Sequence, residues 1–193
     1  MIFMTDATGA LTYVSPEWHG LTGQASRDAV GQGWFERLHS EDGAVLRAVI
    51  KEAAQAQAEF TVRFRLSCEG GASIWATAGA VPSYGPPDHT FLGFLGSITD
   101  IPPGGEPMQA QGGLGRFVPP PPSPSMAPAS TLDLVADHLL IAHGLIEEDG
   151  GKAALAPLRE ALFRVAQAIA RRMASRSTRS SSIISSRKRC CVT

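Results

Sequence analysis

Cysteine is scarce in this sequence. Its 193 residues hold three, Cys68, Cys190 and Cys191, which form neither a disulfide framework nor a zinc-binding set and fit a reducing, cytoplasmic compartment. Long apolar runs are missing too, so no segment is expected to span a membrane, which takes about 20 residues. The opening Met1-Ile2-Phe3-Met4-Thr5-Asp6 has no basic region and meets an acid at once, unlike a signal peptide. Charged residues amount to 18% and the net charge is −1, which argues against nucleic acid as a partner. There is no Gly-rich phosphate loop, and no grouping of nucleophile, base and orienter. No catalytic residue, no metal site and no enzymatic activity are therefore expected. The chain is also too short to hold both a sensor and a catalytic ATP domain.

What is present is uneven. Residues 1–100 carry 6 basic and 11 acidic side chains, whereas residues 176–193 carry 5 basic and no acidic ones. Composition divides the chain into four parts. Residues 1–101 mix β-like runs with helical stretches. Residues 102–130 are rich in proline and glycine and read as a linker, stiffened toward polyproline II at Pro119 to Pro122. Residues 131–174 are strongly helical. Residues 175–193 form a basic Ser/Arg tail expected to be disordered.

In the first part, Ile2-Phe3-Met4-Thr5, a turn at Asp6 to Gly9, and Leu11-Thr12-Tyr13-Val14 give a hairpin pattern. Ser15 and Ser26 are candidate caps of two short helices, and Trp34 to Leu38 forms a third helical piece. Ser40 is a candidate cap for the longest helix of this part, whose Val45, Leu46, Val49 and Ile50 recur at helical spacing up to about Gln57. The period then changes to two. Phe60, Val62, Phe64 and Leu66 alternate with polar residues, and runs around Ile74–Ala78 and Phe91–Ile98 follow after short turns. Three sequential strands joined by short turns make an antiparallel meander. The fold class is α+β, a five-stranded antiparallel sheet with helices on one face.

This order of elements, together with Thr5-Asp6-Ala7-Thr8-Gly9, Tyr13-Val14-Ser15-Pro16, Leu21-Thr22-Gly23, Gly33-Trp34, Leu38-His39-Ser40-Glu41-Asp42, Phe64-Arg65-Leu66, Trp75 and Gly96-Ser97-Ile98-Thr99-Asp100-Ile101, resembles a PAS domain over residues 2–101. The chain departs from that family in starting its first strand at residue 2, without the helix that caps the sheet in many members. Either the true start lies upstream or another element covers that face of the sheet. The resemblance implies a sensory or regulatory module in signal transduction, of the bacterial sensor-kinase type. It marks Asp100 as the junction toward an output helix.

Alignment with the family puts Phe64, Leu66, Ile74, Ala76, Ala78, Phe94, Gly96 and Ile98 on the inner face of the sheet. Arg63, Arg65, Trp75, Thr77, Phe91 and Leu95 fall on the outer face. The expected ligand pocket is Trp34, Phe64, Leu66, Ala76, Ala78, Phe94 and Ile98. Flavin-binding members are expected to grip the isoalloxazine with amide side chains. Those positions are here Leu66, Ala76 and Ile98, and no cysteine lies near Trp34 to Leu38, so flavin is rejected as a cofactor. Haem needs an axial ligand, usually histidine. His39 belongs to the family's helix-entry turn, while His19 and His89 are poorly placed, so haem is not expected either. The pocket is either packed core or a site for a small apolar or weakly polar ligand.

In the third part Leu132, Val135, Leu139, Ala142 and Ile146 repeat at intervals of three and four, as do Leu155, Leu158, Leu162, Val165 and Ile169. With a turn at Asp149-Gly150-Gly151 this is a helical hairpin. Two helices cannot bury so much apolar surface alone. They need either the exposed sheet face, near Trp75 and Leu95, or a second copy of the hairpin, so a homodimer is expected. The interface residues are Trp75, Leu95, Leu132, Val135, Leu139, Leu162 and Val165, and a signalling protein is a further possible partner. An alternative is a fragment or degenerate form of a sensor histidine kinase, with phosphotransfer at His138. The family motif has an acid after that histidine, whereas Leu139 follows here. A third reading is a ligand-free structural dimerisation module. The C-terminal Cys190-Cys191-Val192-Thr193 fits a prenylation signal formally, but the Ala/Gly/Arg-rich composition is bacterial in character and argues against lipidation.

Overall fold

A computed structural model describes residues 1–85, 88–101, 107, 109–115, 117, 130–149 and 151–187, with side chains to Glu147 in the first helix of the hairpin and to Met173 in the second. The polyproline stretch Pro119–Pro122 and the Cys190 tail lie outside the described residues.

The sheet forms from β1 (Ile2–Thr5), β2 (Leu11–Val14), β3 (Phe60–Ser67), β4 (Ser73–Gly85), β5 (Thr90–Asp100) and β6 (Gln111–Leu114), in the order β2-β1-β5-β4-β3-β6 with antiparallel neighbours throughout. Among the described residues it thus has six strands rather than the five expected. The sixth comes from the segment read as linker, where Gln111 to Leu114 pair with Arg63 back to Phe60. Gly112 makes this possible, since a Cβ there would meet the Thr61 carbonyl and Val62 within 3 Å.

The β1–β2 turn is tied by Asp6, whose Oδ1 accepts from the Thr8 and Ala10 amides at 2.8 and 3.0 Å. Between β2 and β3 lie α1 (Glu17–Thr22), α2 (Ser26–Ala29), a 3-10 turn at Gly33–Arg37 and α3 (Gly43–Ala56). Ser15 spends its hydroxyl on the Ile2 amide at 3.0 Å rather than on α1. The long helix starts three residues after Ser40, because Asp42 takes the position before Gly43.

The inner face of the sheet packs α1 to α3 against Phe60, Val62, Phe64, Leu66, Ala76, Ala78, Phe94 and Ile98. Phe91 belongs to this side as well, against the alignment, and stands edge-on to Phe94 at 5.3 Å. The cause is a bulge. Ser83 pairs with Gly93 and Tyr84 with Phe91, so Leu92 is an extra residue that shifts the alternation by one. Gly93 sits there at φ 129°, and a Cβ would collide with the Thr5 carbonyl at 2.1 Å.

The outer face is covered by α4 (Thr131–Asp149) and α5 (Leu155–Arg187), joined through a 3-10 turn at Lys152–Ala154. Ser130 caps α4 by accepting from the Asp133 amide at 3.2 Å. Ala136 and Leu140 of α4 and Leu162 and Ile169 of α5 are buried with Ile2, Tyr13, Val81, Leu95 and Phe117. The apolar face of the hairpin is therefore satisfied by its own sheet, and another element does cover the face that lacks a capping helix. The helix α5 also runs to Arg187, through most of the stretch expected to be disordered.

Phe117 is fully buried between sheet and hairpin, over Gly79. A Cβ on Gly79 would lie 2.0 Å from its ring. Gly79→Ala is expected to destabilise the fold by about 1–3 kcal/mol through overpacking. Phe117→Ala should cost about 3–5 kcal/mol, the usual loss for a buried phenylalanine. The double variant should cost clearly less than the sum, because the clash needs both groups. Strictly additive values in urea unfolding would show that Phe117 does not sit on Gly79.

Candidate functional site

The inner core encloses a cavity of about 30 Å³ lined by residues of β1 to β5, α1, α3 and the 3-10 turn. Of the expected pocket residues, Trp34, Phe64, Ala78 and Ile98 line it. Leu66, Ala76 and Phe94 are buried in the same core but do not reach the cavity wall. Sequence reading missed Phe3, Val14, Trp18, Leu46, Phe60 and Val62. Their signal was available, since all lie at inward positions of strands or on the apolar stripe of a helix.

The volume would admit a water molecule, which needs roughly 10–15 Å³, but a water also needs two to four polar partners. Thr5 is the one hydroxyl residue in the wall, and its oxygen is engaged. It donates to the Asp6 carbonyl and accepts from the Phe94 amide, both at 3.0 Å. The two tryptophans differ. Trp18 donates its indole N–H to Gln24 at 3.1 Å. Trp34 also lines the cavity, yet its indole N–H is buried and meets no acceptor among the described residues. An unpaired buried donor costs about 1–3 kcal/mol.

His39, weighed as an axial ligand, is engaged in its turn. Its Nδ1 accepts from the Glu41 amide at 3.4 Å. Beside it, Asp42 is 1% exposed and accepts from the Arg65 amide at 2.7 Å and from Arg65 Nε at 3.1 Å. The same guanidinium also binds Glu41 at 2.9 Å and stands 5.3 Å from the Trp75 ring. This clamp joins the entry of α3 to β3.

Among the expected interface residues, Leu95 and Leu162 are buried between sheet and hairpin, and Leu132, Leu139 and Val165 pack at its margin. Val135 is exposed, and Trp75 lies under Arg65 rather than in the core beneath the hairpin. His138 is exposed on α4. Asp100 ends β5 opposite Ala76, and Ile101 still donates to the Trp75 carbonyl at 2.8 Å. Among the described residues no helix is long and apolar enough to cross a membrane.

Comparison with known proteins accords with this geometry. Residues 11–96 match the family model described as the PAS fold. An uncharacterized protein of Sinorhizobium fredii, y4lL, is 35% identical over 101 residues, which are 52% of this chain and 12% of that protein. The chain thus spans only about an eighth of that relative. A PAS domain from Colwellia psychrerythraea is similar at 25% identity and a TM-score of 0.44, covering 52% of this chain and 84% of that one. PAS-B of Drosophila melanogaster Cycle, solved with bound ethylene glycol, has 17% identity and a TM-score of 0.44, covering 52% and 98%.

Burial alone would raise the Asp42 carboxyl, but hydrogen bonds from the Arg65 side chain and amide outweigh it and hold the group below its usual range. A carboxyl depressed in the folded state stabilises the fold above its unfolded value of about 3.9 and loses that contribution as pH falls through the folded value. Urea midpoints of the wild type should therefore drop below about pH 4 more steeply than those of Asp42→Asn. Parallel curves would contradict the assignment. The N-terminal part of this chain, over residues 11–96, is a PAS domain.

Proposed function

We propose that the chain is a regulatory, non-catalytic module of signal transduction, in which the PAS core responds to a small, largely apolar ligand and the docked hairpin carries the response onward. One observation carries this reading: β4 and β5 serve both compartments. Ala78 and Ile98 line the cavity, while Val81 and Leu95 of the same two strands pack against the hairpin. An occupant that shifts these strands must alter the surface on which α4 and α5 rest. The exposed wall of the cavity is apolar throughout, which favours an apolar ligand. Helical and sheet interiors are close-packed, so displacements propagate rather than being absorbed.

A second reading, a protein-docking module without ligand, is favoured by the size of the cavity. Small-molecule sites are generally 300–1,000 Å³, in order of magnitude, against about 30 Å³ here. Native mass spectrometry of the full chain separates the two: a retained small-molecule mass, diminished in Trp34→Phe, supports the ligand reading, and a bare mass supports the second. The coupling itself is tested by Ala78→Val, which adds two methyl groups at the cavity wall. Amide exchange around Leu140 and Leu162 is expected to change although neither residue is touched. Unchanged exchange in both helices would overturn the coupling.

We further propose a homodimer, through the outward side of α4. Leu134 and Leu145, 41% and 57% exposed, lie eleven residues apart and so on one side of the helix, with Val135 beside them. Leu134→Lys with Leu145→Lys should convert the sedimenting species to a monomer without loss of helicity. A wild type that is already monomeric at tens of micromolar would remove this part of the reading.

A further inference from the structure

At the rim of the interface between sheet and hairpin lies a second group of ionisable side chains. Glu59 immediately precedes β3, and its backbone carbonyl and one carboxylate oxygen accept from the Gly115 and Phe117 amides at 2.9 and 3.1 Å. Its other oxygen, Oε1, is 3.5 Å from Nδ1 of His143 on α4. His143 is 0% exposed. Its Nε2 accepts from Arg159 Nε at 3.1 Å, so Nδ1 carries the ring proton in the neutral form, and that atom has no hydrogen-bond partner among the described residues. Glu147, one turn after His143, accepts from Arg159 Nη2 at 3.2 Å, and the same guanidinium is 3.7 Å from Glu59.

The donor set has the chemistry of a cation site. A histidine and a glutamate four residues apart lie on one face of a helix and converge on a shared point. A second carboxylate, that of Glu59, faces them from the sheet. One ligand atom from each of Glu59, His143 and Glu147 falls within 4.8 Å of the others. A tetrahedral ion with bonds of about 2.0–2.1 Å spaces its ligands roughly 3.3 Å apart. Closing the remaining ångström or so falls to side-chain rotation, for which Glu147, 26% exposed, has room. Two carboxylates also face a single guanidinium, which leaves one negative charge uncompensated in a largely buried place.

Arg159 now stands where a cation would be held, and it differs from Arg65 in how firmly it is held. Arg65 makes several bonds to Asp42, one more to Glu41, and lies on Trp75. Arg159 is 44% exposed. It borders an open cleft of about 450 Å³, lined also by Pro82, Tyr84, His89 and Glu160, into which its guanidinium can withdraw. We propose that Glu59, His143 and Glu147 bind a divalent transition-metal ion of the zinc class, with Arg159 as the exchangeable cation that holds the site in its absence. Imidazole with carboxylates suits such ions. Binding involves no redox step and only displaces the guanidinium and any proton on the donors. Because the ligands come from both sides of the interface, the bound ion would fasten the hairpin to the sheet edge.

The test is titration of the full-length protein with zinc chloride by isothermal calorimetry, wild type beside Glu147→Gln, His143→Ala and Arg159→Ala. The three cysteines also attract zinc, but they are common to every variant, so the difference between isotherms reads the proposed site. The expected result is one fewer bound equivalent in Glu147→Gln and His143→Ala, and binding several-fold tighter than wild type in Arg159→Ala. Cobalt(II) in the same site should give visible bands lost in Glu147→Gln, without involvement of thiolate absorption. Should His143→Ala fail to fold, Glu147→Gln decides alone, since that residue is partly exposed. Equal stoichiometry in wild type and Glu147→Gln overturns the site. Weaker binding in Arg159→Ala overturns the exchange.

Discussion

The pleat of β4 and β5 sends Ala76, Ala78, Phe94 and Ile98 to one side of the sheet and Val81 and Leu95 to the other, and both sides end in apolar cores. Most of the architecture depends on this two-sided burial. An antiparallel sheet commonly leaves one face wet. Here β1, β4 and β5 are dry on both faces, so neither the layer of short helices nor the hairpin can be displaced without exposing a strand. At about 25 cal/mol per Å² of apolar surface, loss of either cover is expensive on the scale of a whole domain's stability. The same arrangement leaves the central strands no neutral direction in which to move. Cavity wall and hairpin floor are two faces of the same strands.

Apolar contact is not directional, so burial alone would let the hairpin slide or rotate on the sheet. Polar groups at two places on the interface remove that freedom. Near β2, the Tyr13 hydroxyl donates to Asp133 Oδ1 at 3.2 Å, and the other oxygen of Asp133 accepts from Ser130 at 2.6 Å. Near β3, His143 and Arg159 stand 3.5 and 3.7 Å from Glu59 Oε1, and Arg159 also bridges His143 and Glu147. Burial and the nearby Glu147 raise the Glu59 carboxyl to about 6, against the Phe117 amide and Arg159, while burial and Arg159 depress His143. Tyr13, Asp133, Glu59 and His143 are all buried there. Their pairing is therefore available only when α4 and α5 sit in one register, which is how polar groups confer position where apolar ones confer adhesion.

The PAS part was largely legible because its signals are local and redundant. The alternation of Phe60 to Leu66 gives an inward face, and the Ala-rich helix after Asp42 gives its cover. Where reading failed, the controlling contact was remote in sequence. Phe91 was assigned to the wrong face because nothing near it reveals the extra residue Leu92; the bulge follows from Gly93 meeting the Thr5 carbonyl. The strand β6 was hidden by composition. Gln111-Gly112-Gly113-Leu114 has no alternation, and its glycines suggested a spacer, whereas Gly112 is needed for close approach to Val62. Of the strand residues in the cavity wall, Phe64, Ala78 and Ile98 followed from the alignment, whereas Phe3, Val14, Phe60 and Val62 did not, although their inward positions were readable.

The hairpin raises a more general point about amphipathic helices. Its apolar residues correctly signalled an unsatisfied face, but the pattern is silent on whether the missing surface belongs to the same chain. Geometry resolves it through Phe117. Without that side chain, the absent Cβ of Gly79 would leave a hollow beneath α5, and the hairpin would rest on an imperfect floor. Phe117 fills the hollow and is itself anchored by its amide to Glu59, next to the strand that the preceding residues extend. The segment read as a spacer thus contains a wedge that shapes the sheet to receive the helices. Once the floor is complete, the inner stripe of Ala136, Leu140, Leu162 and Ile169 is consumed within the chain. The exposed Leu134, Val135 and Leu145 lie on the other side of α4, away from the stripe that the sheet covers.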